Sequence, residues 1–237
     1  MMKSSIIPFA AFCILLLFFA TPLSAQKGVE ELQKIAQFYR QIGRNLSFEV
    51  KYTYWENHKS KAVDTLRIRV VQNGMDYRMQ GPDFEWLKVG KDLLWVDHHQ
   101  EEMVLVNAMS QKSAEQKKML GIEQIITMVQ TQGLSVQAFR MPKNQAGLSI
   151  LDPENPGFKL ELTYDPRSHC LFKMNLQFAE VPNEEELTPS DTRINALYSN
   201  YEIKKGNFPS ALKQFILRSK NGLIPAKLYQ NYRVQTL

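Results

Sequence analysis

Asp97-His98-His99-Gln100-Glu101 sets two imidazoles between two carboxylates, donor types that zinc accepts. Adjacent residues on extended chain point to opposite faces, so one ion does not take both histidines. The run therefore reads as a polar hairpin turn. His58 and His169 also sit in or beside turns. The sequence contains no G-x-S-x-G, H-E-x-x-H, C-x-x-C or G-x-G-x-x-G. Gly81 and Gly90-Lys91 are too far apart for a phosphate loop. The chain is thus read as a non-enzyme, with no catalytic residue, metal or cofactor.

The side chains with binding chemistry are apolar. Seven of the ten methionines lie between Met75 and Met141: Met75, Met79, Met103, Met109, Met119, Met128 and Met141. Tyr77, Phe84, Trp86 and Trp95 share that stretch. Methionine is unbranched and polarisable, so it lines surfaces that adapt to varied apolar partners. It also fills ordinary cores, and the pattern is compatible with either role. The candidate cavity residues are Tyr77, Met79, Phe84, Trp86, Trp95, Met103 and Leu105 from strands. Ile122, Ile125, Met128 and Val129 would cover them from a helix.

Those positions need a scaffold, and hydrophobic periodicity supplies it. Val29, Leu32, Ala36, Tyr39 and Ile42 recur at three- and four-residue steps, which predicts an amphipathic helix over 29–43. The period then changes to two. Leu46, Phe48, Val50, Tyr52 and Tyr54 alternate with polar residues, as in a strand with one dry face. Asn57-His58-Lys59-Ser60 reads as a turn. Asn73-Gly74, Gly81-Pro82-Asp83 and Gly90-Lys91-Asp92 punctuate further short strands, so 46–107 reads as a meander of six antiparallel strands. Leu120, Ile122, Ile125, Ile126 and Val129 predict a helix within 113–131. Strand patterns resume at 134–140, 147–151, 158–165, 169–178, 192–203, 212–219 and 224–234. Val181 to Asp191 is the longest polar loop. Consecutive hairpins suit a sheet that curls on itself.

The first 25 residues have a different character. Lys3 is their one charge, Ile6 to Ala20 is an apolar run, and Thr21-Pro22-Leu23-Ser24-Ala25 follows. This is the order of a cleavable secretory signal peptide. The run is shorter than the roughly 20 residues of a spanning helix. Cys13 is preceded by the bulky Phe12 and followed by more apolar residues, which disfavours a lipidated cysteine. The expected division is a signal peptide at 1–25 and a single domain at 26–237. That domain has 28 basic and 24 acidic residues. Such a small, dispersed excess does not point to nucleic acid. With Cys170 alone remaining, the domain has no internal disulfide, although export leads to an oxidising compartment.

Gly90-Lys91-Asp92-Leu93-Leu94-Trp95-Val96-Asp97 resembles the G-K-x-L-W hairpin of the periplasmic outer-membrane lipoprotein carrier (LolA-like) family. Asp76-Tyr77-Arg78-Met79 is similar to the strand before that hairpin, and the helix followed by Phe48-Glu49-Val50 matches the start of the family's first strand. The resemblance spans about 80 residues. It implies a mainly β fold: a strongly curved antiparallel sheet forming an unclosed half-barrel, with the N-terminal and mid-chain helices over its concave face. It also implies a monomeric periplasmic carrier of lipid acyl chains or a lipoprotein, with a transient membrane-protein partner. Release would require displacement of the lid helices. A ligand-free scaffold on the same fold is the alternative. The family's Arg-Pro latch has no counterpart here, where Val71-Gln72-Asn73-Gly74 stands. Arg67, Arg69 and Arg78 are the nearest substitutes.

Overall fold

The computed structural model describes residues 22–40, 44–56, 61–107, 122–179, 191–205, 212–220 and 222–236. The apolar run at 6–20, Gly43, the turn at 57–60, Met109, Met119, residues 113–121 and most of the 181–191 loop lie outside them.

Helix α1 spans Pro22–Tyr39 and helix α2 spans Ile122–Gln132. Helix α1 thus begins before the first periodic residue, Val29. The meander is present as β1 (Arg44–Glu56), β2 (Asp64–Asn73), β3 (Asp76–Gln80), β4 (Phe84–Val89), β5 (Asp92–Asp97) and β6 (Glu102–Asn107). After α2 come β7 (Ser135–Arg140), β8 (Ala146–Leu151), β9 (Lys159–Tyr164), β10 (Leu171–Ala179) and β11 (Asp191–Lys205). The C-terminal part contains β12 (Ile216–Ser219), β13 (Gly222–Pro225) and β14 (Arg233–Thr236), with short 3-10 turns at Leu212–Gln214 and Lys227–Tyr229.

Twelve strands form one open sheet in the order β14-β6-β5-β4-β3-β2-β1-β11-β10-β9-β8-β7. The fold is the mainly β, unclosed half-barrel expected from the sequence. One pairing differs from the wholly antiparallel expectation. The stretch 212–234 is not a single hairpin: β12 and β13 pair with each other, and β14 then lies parallel to β6. Parallel partners need a long connection, which here is the whole chain between Asn107 and Arg233.

Each half of the sheet buries a different face. On one face, Phe48, Val50, Ile68, Val70, Leu148, Ile150, Leu160, Leu162, Tyr164, Met174 and Ala196 form a continuous core with Leu32, Ile35 and Ala36 of α1 and Ile125, Ile126 and Val129 of α2. On the opposite face, Leu87, Leu94, Val96, Met103 and Leu105 pack under Phe215 and Ile216. The C-terminal segment is therefore a second layer over β4–β6.

Helix α1 is fastened firmly. Ile35 is fully buried. A Cβ built on Gly28 would lie 2.5 Å from the Val136 carbonyl oxygen, so the helix backbone rests directly on β7. At its C-terminal end Tyr39 and Tyr201 share a 2.5 Å hydrogen bond between hydroxyls. Tyr201 donates to the Leu171 carbonyl at 2.9 Å, and the Leu171 amide donates to Tyr39 at 3.2 Å. A bulge in the β1–β11 pairing lies between Ser47 and Glu49. Phe48 there stacks on Tyr201 with ring centroids 5.4 Å apart.

Nearer the start of α1, Glu31 accepts hydrogen bonds from Lys34 at 2.7 Å and Tyr164 at 2.9 Å. Burial pushes the Glu31 carboxyl up, but the bonds from Lys34 and Tyr164 and the nearby Lys34 and His169 charges together hold it below its ordinary 4.5. A depressed folded-state value means that Glu31 stabilises the fold above about pH 4.5 and loses that contribution as pH falls through the folded value. Thermal melts at stepwise pH between neutral and acid are expected to show a shallower acid decline for Glu31→Gln than for the parent chain. An unchanged slope would contradict this assignment.

Candidate functional site

The site follows from the pleat of β3–β5. Gly81 and Gly90 bracket β4, and Gly90 has a positive φ of 58°, which suits glycine in the tight turn to β5. That turn sets the register Trp86 opposite Trp95 and Phe84 opposite Asp97. Met79 stands opposite Trp86, and Tyr77 opposite Lys88. Residues directly opposite share a face, so Tyr77, Met79, Phe84, Trp86 and Trp95 all lie on the helix side of the sheet.

Phe84, Trp86 and Trp95 line an open groove of about 570 Å³, with Asp83, Asp97 and His99 at its rim. Trp95 is 44% exposed. Phe84 and Trp86 meet edge-on, with ring centroids 6.4 Å apart. Phe84 and Met79 also pack against the main core, so the groove is continuous with it. Tyr77 is half-buried, and burial holds its hydroxyl above the ordinary value of 10.

The remaining candidates go elsewhere. Met103 and Leu105 stand opposite Val96 and Leu94, on the face away from the helices. Both are buried beneath the C-terminal layer rather than lining the groove. Ile125 and Val129 are buried in the main core, with Ile122 and Met128 half-buried against it. None of the four lines the groove. The buried residues of α1 and α2 pack into the main core. Arg67, Arg69 and Arg78 pair opposite Lys51, Gln80 and Leu87. By the same parity they lie on the face away from the helices, so none of them can serve as a latch.

The Asp97–Glu101 run is a hairpin turn. The Asp97 carboxylate accepts from the His99 and Gln100 amides at 2.9 and 2.8 Å. His98 turns away from His99 and lies 2.8 Å from the Tyr232 hydroxyl through Nδ1. Among the described residues, no three metal-ligating side chains gather in one place. No helix among them is long and apolar enough to cross a membrane. The sequence signal missed at the site is the rim: Asp83 and Asp97 flank the aromatic alternation at its ends, where a groove mouth would be polar.

Fold and groove together define a helix-covered half-barrel with an open aromatic groove near one end of its sheet. No protein-family model and no curated protein matches the chain. Among solved structures it is similar to a LolA superfamily protein from Nitrosomonas europaea, at 14% identity and a TM-score of 0.34, covering 79% of this chain and 96% of that one. An uncharacterized conserved protein from Thermus thermophilus is similar at 11% identity and a TM-score of 0.44, covering 88% and 98%. The MucA/MucB complex of Pseudomonas aeruginosa is similar at 11% identity and a TM-score of 0.42, covering 77% of this chain and 59% of that one. No residue role transfers at these levels of similarity.

Proposed function

We propose that this chain is a periplasmic binding protein that carries a lipid acyl chain, free or on a lipoprotein, in the Phe84–Trp86–Trp95 groove. The carrying observation is the groove lined by Phe84, Trp86 and Trp95, with Trp95 exposed, on the face that otherwise packs in the main core. Exposed aromatics lining a groove favour an apolar ligand. Binding would rest on burial of methylenes, each worth about 0.8 kcal/mol, and needs no bond chemistry. The reading of 1–25 as an export signal and the local resemblance to lipoprotein carriers support the compartment and the ligand class. The groove is already open, so loading would not require α1 to leave its core.

The test is titration of delipidated chain with a fluorescent fatty acid. Saturable binding is expected, weakened about tenfold by Trp95→Ala, which removes one large contact surface. Absence of saturable binding, or unchanged affinity in Trp95→Ala, overturns the reading. The packing of buried α1 and α2 residues in the main core favours the second reading, a ligand-free scaffold. Native co-purification with one outer-membrane protein, without retained lipid, would establish that alternative.

A further inference from the structure

We propose that the C-terminal layer, Leu212–Thr236, is a docking surface for the headgroup plane of an anionic lipid bilayer. This surface lies on the opposite face of the sheet from the groove and does not depend on the acyl-chain reading. The first argument is charge. After Glu202 the sequence contains seven basic residues and no acidic one. Within the layer, Lys213, Arg218, Lys220 and Lys227 are exposed. Arg233 is engaged by Glu102 at 2.6 Å. The chain as a whole carries only a small basic excess, so this concentration of one sign is local.

The same segment also exposes large apolar side chains. Ile216 is buried and anchors the β12–β13 hairpin in the second core. Leu217 and Ile224 stand directly opposite each other on the hairpin's other row, 43% and 46% exposed. Four residues after Ile224, Leu228 is 88% exposed. Burial of Ile216 explains the hairpin's attachment, while Leu217 and Ile224 face outward. Leucine and isoleucine tips interspersed with lysine and arginine suit the bilayer interface. The tips enter the boundary of the acyl region while the cations meet anionic headgroups.

The test is hydrogen exchange on the full chain with vesicles of phosphatidylglycerol and phosphatidylethanolamine, against vesicles of phosphatidylcholine. The readout is local to this layer, so membrane contact by other parts of the chain does not enter it. Amides 212–236 should slow with the anionic vesicles only, and high salt should reverse the effect. Each cation removed should raise the lipid concentration for half-protection about fivefold, so Lys213→Ser, Lys220→Ser and Lys227→Ser together should raise it about a hundredfold. Leu217→Ser with Leu228→Ser should weaken protection independently of salt. Trp95→Ala should leave it unchanged, which separates this proposal from the groove. No protection, equal protection by neutral vesicles, or full protection in the triple variant would overturn the proposal. So would protection by soluble polyglutamate with none from vesicles, because that outcome assigns the surface to an acidic protein.

Discussion

Replacing Arg78 with methionine is expected to cost about 3–5 kcal/mol of folding stability, the usual penalty for stranding a buried charge. Glu85 is 3% exposed, on the β4 face beneath the C-terminal layer. Arg78 Nε lies 2.7 Å from its carboxylate. His98 Nε2 approaches the other oxygen at 3.3 Å, and the Tyr229 hydroxyl donates to that oxygen at 3.4 Å. Burial and the neighbouring Glu85 charge push the Tyr229 hydroxyl up to about 12. Without Arg78 the carboxylate keeps only two longer contacts. Arg78 also lies over the Phe215 ring, 5.3 Å from its centroid, so the same substitution loosens the layer above. The double variant Arg78→Met, Glu85→Leu should recover most of the loss, because both charges then leave together. Urea denaturation of the four chains in the cycle measures this. A single-variant cost under about 1 kcal/mol, or a double-variant cost equal to the sum, would show that the pair does not hold the layer.

This cluster marks where reading the sequence stops working. Alternation placed the strands well wherever one face is dry and the other wet, as in β1 with Phe48, Val50 and Tyr52. It also brought Phe84, Trp86 and Trp95 together, because residues two apart share a face and Gly90 fixes the hairpin. In β4–β6, however, both faces carry large apolar side chains. Trp86 and Leu87 are equally apolar, and nothing local says which row goes under helices and which under another layer. For that reason alternation alone does not separate Met103 and Leu105, which belong to the second core, from the groove residues. Their covering elements are far away in sequence, and the parallel pairing of β14 with β6 leaves no local trace. Composition signals the groove's aromatics, but only the register separates them from the second core.

Phe215→Ala is expected to open the C-terminal layer while leaving the main core folded. Phe215 is 1% exposed, stacked on Tyr229 with centroids 5.2 Å apart, and seated over Leu87, Leu94, Val96 and Met103. Its backbone also closes the layer: the amide donates to Leu212 and the carbonyl accepts from Ala226. Removing a buried phenyl ring typically costs about 3–5 kcal/mol. Helix α1 belongs to the other core, on the other face, so the loss should be confined. Amides at 212–236 should exchange rapidly, those of α1 and β1 should keep their protection, and an environment-sensitive apolar dye should bind the uncovered β4–β6 face. Equal loss of protection in α1 would mean that the two cores unfold as one unit. Local opening would mean that the layer can detach on its own, so that a variant blind to membranes could still be tested for acyl-chain binding in an intact groove.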